Sequence, residues 1–460
     1  MKRTAENELV LWKTRIGRKP LIVRGARQVG KTYLVETVGR SCFDSVLTVN
    51  LEQKDDLHAL FNRMDAKRIV QELSLYFNQP IVPDKTLLFL DEIQACPQAI
   101  SALRYFHEEL PGLHVIAAGS LLDFALREFK HSMPVGRIEY VHLNPLTFQE
   151  FLSALGENAL VDHLEQYEVG AEFGEAAHAR LRELLRVYFF VGGMPAVVAA
   201  YAERRDMLEA QRTLASIVTT LQDDFAKYGT RAQQRQMRQV VRHASRSIGQ
   251  KVRYVNISRE ARADALRTAL ELLELSRILT LVRHSSANGV PLDAEASERH
   301  FKPLLLDIGL CNNMCGLHLP DATDLLGAHE GRLAEQFIGQ ELHALAPTFQ
   351  ERPLFYWHRE SKNANAEVDY LYAHESHVIP VEVKAGTSGS LKSIQRFLSE
   401  KKRTFALRFN MDRPSLGSFS MDIGDKTGVN EIAFTLLSLP LYLAGQTDRL
   451  LRKQFQNERK

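Results

Sequence analysis

Gly25-Ala26-Arg27-Gln28-Val29-Gly30-Lys31-Thr32 follows the short apolar run Pro20-Leu21-Ile22-Val23 and precedes a helix-compatible stretch, Tyr33 to Val38. The octet has the form G-x-x-x-x-G-K-[ST], a phosphate-binding loop. A glycine-rich turn alone could match that string by chance. The flanks give it weight, because a strand must deliver the chain and a helix must leave with its N-terminus toward the phosphates. Backbone N–H groups of all eight residues and the positive end of the helix would then cradle the anion. In that arrangement Lys31 reaches the β- and γ-phosphates and the Thr32 hydroxyl ligates Mg²⁺.

A second motif follows about sixty residues after Lys31, an interval usual between the two phosphate-site motifs. Thr86-Leu-Leu-Phe-Leu-Asp91-Glu92-Ile-Gln94 predicts a parallel strand buried on both faces. Asp91 and Glu92 would sit at its C-terminal end, where open α/β sheets bind ligands. Asp91 then holds Mg²⁺, directly or through water, and Glu92 polarises the water that attacks the γ-phosphate. An acidic pair at a strand end is unremarkable alone; the loop at 25–32 gives it meaning. A third strand is expected at His114 to Ala118, ending in Gly119-Ser120, and another at Ser45 to Leu51. Ser120 would touch the γ-phosphate or the attacking water, N-cap a helix from Leu121 to Phe129, or do both. After Ser132-Met-Pro-Val-Gly, Arg137 is a candidate arginine finger, in cis or in trans, since guanidinium suits spread phosphoryl charge.

Bulk properties bound the rest. A chain of 460 residues predicts two to four domains, and a formal net charge of +2 neither demands nor excludes a nucleic-acid partner. Four cysteines in such a length indicate a reduced compartment. Cys311 and Cys315, with His318 beyond, lack a clear fourth ligand, so no zinc is expected. Met1 to Glu8 has no apolar core of a signal peptide, and no apolar run is long enough to span a bilayer. A cytoplasmic protein without a membrane partner is the expectation.

The strings Arg24 to Thr32, Leu88-Phe-Leu-Asp-Glu-Ile-Gln94, Ala118-Gly-Ser-Leu-Leu122, Gly136-Arg137 and Pro145-Leu-Thr-Phe-Gln-Glu-Phe151 together resemble the prokaryotic AAA-type ATPases. These are similar to the signalling and archaeal-type branches of the P-loop NTPases, and the resemblance extends over nearly the whole chain. It implies ATP rather than GTP, a ring or dimer, and a second, poorly characterised domain after the ATPase. It also implies the role called sensor 1 for Ser120, and a helical lid that contains the break Val191-Gly-Gly-Met-Pro195.

Beyond the ATPase, Arg180 to Phe190 has apolar positions three and four apart, as a helix requires. Helices from Gln234 to Arg246 and from about Ser258 to Leu275, then a strand at Arg277 to Arg283, predict a winged helix-turn-helix. This region carries Arg231, Arg235, Arg238, Arg242, Arg246, Lys251, Arg253, Arg259, Arg262 and Arg267. Such density is the footprint of phosphate-backbone binding; a solvated helix face or a protein contact would read the same way.

Phe301-Lys-Pro-Leu-Leu-Leu-Asp307-Ile-Gly-Leu310 resembles the family's link into its C-terminal domain. There, Gly331 to Leu345 predicts a helix carrying Glu335, and strands are expected at Leu354 to His358, Val368 to Tyr372 and Val378 to Val383. Asp369, followed about a dozen residues later by Glu382-Val-Lys384, is similar to the PD-(D/E)xK nucleases. The two-residue strand period puts Glu382 and Lys384 on one face. Asp369 and Glu382 would hold a second divalent metal, Lys384 would orient the attacking water, and Glu335 would complete the shell. A degenerate version, kept for protein or DNA contacts, has the same pattern. The basic tail from Arg449 predicts a fraying helix.

The expected fold is therefore α/β: a P-loop NTPase parallel-sheet domain at 1–155, a helical lid and winged helix at 156–300, and a restriction-endonuclease-like domain at 301–460. The leading functional expectation is a Mg-dependent ATPase that switches or drives the rest of the chain on DNA. Its rivals are a nucleotide-gated scaffold for a protein partner and an ATP-licensed nuclease.

Overall fold

Leu21–Arg24 (β1), Ser45–Asn50 (β2), Thr86–Asp91 (β3), His114–Gly119 (β4) and Glu139–His142 (β5) form a five-stranded sheet in the order β2-β3-β4-β1-β5. Every pairing in it is parallel. The structure is a computed structural model that describes residues 1–127, 134, 136–316, 322–359, 366–386, 391–425 and 428–458. The sheet belongs to the first of two compact units, Met1–Leu146 with Glu271–Ile278 and Ala346–Glu351. As its unbroken apolar run predicts, β3 is buried at every position, and β4 is too; β2 is an edge strand with alternating burial. Leu88, Leu90, Val115 and Ala117 pack on Ile100, Leu103 and Phe106 of the helix Pro97–Glu109.

Parallel strands need crossovers, and these bring both motifs to one edge. The octet leaves β1 and Asp91-Glu92 leaves β3, with β4 and its Ser120 between them. The helix Lys31–Cys42 starts from Gly30, whose φ of 92° lies in the left-handed region.

The second unit comprises Thr147–Leu270, Leu279–Leu345 and Arg352–Lys460. Its helices include Glu175–Val191, Pro195–Arg204, Met207–Asp223 and Arg231–Arg246. Gly192 ends the first of these with φ 70° and ψ −167°, and a Cβ there would run into the Asp307 carboxylate. Asp307 accepts the Gly193 N–H at 2.6 Å and the Leu310 N–H at 3.0 Å, capping the helix Ile308–Cys315. The Gly-Gly break is thus a seat for a buried carboxylate. Arg231–Arg246 begins earlier than the expected Gln234 because Thr230 and Gln233 form a capping box.

Eight strands make the second unit's mixed sheet: Leu279–Ser285 (β6), Ala296–Leu305 (β7), Phe355–His358 (β8), Glu367–His374 (β9), His377–Val383 (β10), Phe405–Asn410 (β11), Ser415–Asp425 (β12) and Gly428–Pro440 (β13). Their order is β12-β13-β11-β10-β9-β8-β6-β7. The strand expected as a wing is β6, which pairs antiparallel with β7 and parallel with β8. β8, β9 and β10 form an antiparallel meander, and β11 returns parallel to β10 through the helix Lys392–Lys401.

Candidate functional site

At the C-terminal end of β1 the loop is held by close backbone packing and by a buried arginine. A Cβ on Gly25 would strike the Leu143 carbonyl, an atom that cannot step aside. The buried Arg3 sends Nη1 to the Val29 carbonyl at 3.1 Å and Nη2 to the Asn144 carbonyl at 2.6 Å, tying the loop to the strand exit after β5. Nothing in the polar N-terminus flagged Arg3, since its partners lie far along the chain.

Lys31 is 7% exposed and folds back onto the loop, donating to the carbonyls of Gly25 (3.0 Å) and Ala26 (2.8 Å). Burial pulls its pKa down to about 8; Glu92 and Asp91 work against that fall, while Arg27 and Arg277 add to it. Thr32 Oγ1 donates to Asp91 Oδ2 at 3.0 Å. Burial raises the Asp91 carboxyl, Glu92 adds to the rise, and the Thr32 bond opposes it. A hydroxyl and a carboxylate oxygen converging next to a phosphate loop are the hard oxygen donors that suit Mg²⁺, so this pair fits the ion.

Glu92 follows with φ 49°, a left-handed backbone at a non-glycine residue. Such a conformation costs on the order of 1–3 kcal/mol and persists where surroundings impose it. Here they do. Glu92 N–H donates to Asp91 Oδ1 at 3.1 Å, while Glu92 Oε2 accepts from Gln94 Nε2 at 2.5 Å and from Ser120 Oγ at 3.4 Å. Arg27 Nε in turn donates to Ser120 Oγ at 3.3 Å. Loop, β3 exit and β4 tip are linked through one chain of polar atoms. Of the candidate residues in this unit, Arg137 stands apart: its Nε is held 3.0 Å from Glu108 and its side chain is 43% exposed. Ser132 and Phe129 lie outside the described residues.

The AAA domain family model matches residues 17–152. Two further family models, each a domain of unknown function, match 182–321 and 330–417. The search of curated proteins finds no match. Solved structures similar to the chain include a Walker-type ATPase of Pyrococcus abyssi, at 13% identity over 68% of this chain and 95% of that one, with a TM-score of 0.43. The Aeropyrum pernix ORC2 protein, in ADPNP–ADP complexes, is 12% identical over 68% and 94%, TM-score 0.37. The Aeropyrum pernix ORC1 protein in complex with DNA is 13% identical over 71% and 95%, TM-score 0.30. Likeness at this level is too low to carry function across.

One further arginine of the first unit was missed. Arg277, in a left-handed turn with φ 59°, bonds Asp123 at 2.8 Å and pairs with Glu351. Burial works against its charge, and Asp123 and Glu351 outweigh that, raising its pKa. The His142 hydrogen bond, helped by Arg277, holds the Glu351 carboxyl far below the usual carboxylate range.

In the second unit, Glu335, Asp369, Glu382 and Lys384 do gather. Asp369 Oδ2 accepts the Val383 N–H at 2.8 Å and Lys384 Nζ sits on Glu382. Burial pushes Asp369 up to about 6, reinforced by Glu382. Sequence reasoning missed three neighbours. Lys302 Nζ lies 3.0 Å from Glu335 and 2.6 Å from Glu367, and Lys251 Nζ lies 3.0 Å from the other oxygen of Glu367. The available signal was a lone lysine within the apolar strand Phe301 to Leu305.

Elsewhere in this unit, Cys311 and Cys315 point their sulfurs at the Ser245 carbonyl, at 3.7 and 3.0 Å; His318 lies outside the described residues. On Arg231–Arg246, which contains no acidic residue, Arg235, Arg238 and Arg242 are exposed and make no ion pair among the described residues. Among the described residues no helix is long and apolar enough to cross a membrane.

Proposed function

We propose that the chain is a Mg-dependent ATPase that acts as a nucleotide-driven switch. ATP occupies the octet 25–32, and the Lys31 ammonium leaves the Gly25 and Ala26 carbonyls for the β- and γ-phosphates. Thr32 and Asp91 hold the magnesium, which when bound neutralises charge developing on the phosphates. Glu92 orients and polarises the attacking water, with Ser120 beside it at the β4 tip. Arg27 couples the loop to Ser120. Arg137, held by Glu108 within its own chain, is assigned to a neighbouring copy's nucleotide in a homo-oligomer. The observation that most directly supports the reading is the 3.0 Å Thr32–Asp91 pair beside the buried Lys31.

On this reading the helical segment from 156 to 300 carries the nucleotide state onward, and the exposed arginines of Arg231–Arg246 follow a DNA phosphate backbone. A second reading is favoured by the lysines on the carboxylate cluster: a nucleotide-gated scaffold whose nuclease-like segment, within 301–460, contacts a protein partner without cleaving DNA. The test of the ATPase reading is steady-state hydrolysis with Glu92→Gln. The variant should bind nucleotide as wild type does and lose at least about 100-fold in kcat, the scale of general-base removal. Equal rates would sink the assignment.

A further inference from the structure

The nuclease-like pattern calls for a divalent metal among Glu335, Asp369 and Glu382, and the side chains present do not fit one. We propose that the Lys302 ammonium is the built-in counter-cation of this cluster, standing where a metal ion would, so that the second unit is a metal-independent charge cluster. The inference is independent of the ATPase reading, because its test contains no nucleotide.

Geometry carries it. Lys302 is 2% exposed on β7 and its Nζ reaches carboxylates from two other elements, Glu335 on the helix Ala322–Ala344 and Glu367 at the start of β9. The Tyr356 ring lies 5.0 Å from the same nitrogen, adding a π face to the ammonium's surroundings. Gly249, with φ +72°, packs so tightly on Glu335 that a Cβ would overlap its Oε2, which closes that side of the carboxylate.

Charge counting agrees. The four carboxyl groups Glu335, Glu367, Asp369 and Glu382 face the three ammonium groups Lys251, Lys302 and Lys384. One negative charge is left at most. A hard divalent cation needs several anionic oxygens. Glu382 Oε2 is the one carboxylate oxygen of the cluster that is buried with no hydrogen-bond partner among the described residues, and Lys384 is already on its companion.

The consequence is a swap. Removing Lys302 leaves buried carboxylates uncompensated, which is strongly destabilising, and should turn the cluster into a site that a metal can rescue. The experiment titrates nucleotide-free full-length protein with Mn²⁺, following free Mn²⁺ by electron paramagnetic resonance and stability by thermal melting. Wild type should show no Mn²⁺ uptake up to about 1 mM that Asp369→Asn removes. Lys302→Met should melt at least about 5 °C lower, regain part of that with Mn²⁺, and lose the regained part when Asp369→Asn is added. Mn²⁺ uptake by wild type that Asp369→Asn abolishes would overturn the proposal. So would a Lys302→Met protein that is as stable as wild type and still binds no metal. If Lys302→Met does not fold, Lys302→Met with Glu335→Gln removes both charges and should recover soluble, folded protein; failure of that pair to improve on the single variant would also overturn it.

Discussion

Gly119, at the tip of β4, tests whether Glu92 is held for catalysis by the side chains around it. A Cβ built on Gly119 would overlap Gln94 Oε1, with Gln94 Cδ at 3.3 Å and Ile93 Cγ2 at 3.6 Å. The first atom met is thus the far end of a flexible side chain, so Gly119→Ala should fold normally, with a stability change below about 1 kcal/mol. Gln94 must move, and in moving it leaves Glu92 Oε2, which it now bonds at 2.5 Å. A hydrogen bond to a charged group is worth about 1.5–3 kcal/mol. If roughly half of that bears on the orientation of Glu92 in the transition state, kcat falls about 4- to 12-fold, at about 1.4 kcal/mol per decade. KM should stay within about twofold, because Lys31, Thr32 and the loop backbone are untouched. Steady-state ATPase measured on Gly119→Ala, Gln94→Ala and the double variant supplies the decisive comparison. Both single changes cut the same bond, so the double variant should lose no more than the worse single one. Losses that multiply in the double variant, or an unchanged kcat in Gly119→Ala beside a reduced one in Gln94→Ala, would refute the reasoning.

Gly192→Ala places a side chain in a conformation near φ 70°, ψ −167° and drives its Cβ into Asp307; it should cost about 3–6 kcal/mol by urea unfolding, from backbone strain and disrupted bonds to a carboxylate. Glu341 is buried, accepts the Phe148 N–H at 3.0 Å, and is pushed up by burial to about 8. It therefore keeps a proton in the folded chain that the unfolded chain releases above about pH 4.5, so stability falls as pH rises toward 8. Glu341→Gln lacks that term and should gain on wild type by about 2 kcal/mol between pH 5 and pH 7; a constant difference in denaturation midpoints would contradict it. Replacing Arg235, Arg238 and Arg242 by alanine should lower the slope of log affinity for duplex DNA against log salt by about 2–3 in magnitude, and an unchanged slope would remove the helix Arg231–Arg246 from the DNA interface.

The parts of the fold that could be read from the chain are those coded by contiguous residues. The octet at 25–32 and the run Thr86 to Glu92 each carry their strand, turn and ligand groups in one string, and the parallel sheet follows from their crossovers. The start of Arg231–Arg246 was also legible, in Thr230 and Gln233, although the apolar spacing alone points to a later residue. What was not legible depends on pairings between distant segments. Ser120 lies 93 positions from Arg27, and only the order β3-β4-β1 makes their 3.3 Å bond possible. Arg3 under the loop and Arg277 beside Asp123 are of the same kind.

Lys302 marks how far such reading can go. Burying an unpaired ammonium costs several kcal/mol, so a lysine inside Phe301-Lys-Pro-Leu-Leu305 requires acidic partners wherever that strand is a buried one. That much follows from five residues. Which acids they are does not, because Glu335 arrives from a helix 33 positions on and Glu367 from β9, three strands away beyond β6 and β8. A reading confined to the acid pattern finds Asp369 and Glu382 and infers a metal; the register of β7 supplies the cation instead. The carboxyl groups of Glu335, Asp369 and Glu382 thus lead to opposite chemistry depending on one lysine. The contrast with Lys31 makes the point physical: that ammonium rests on two neutral carbonyls and stays available to a phosphate, whereas Lys302 is committed to two carboxylates and available to nothing else.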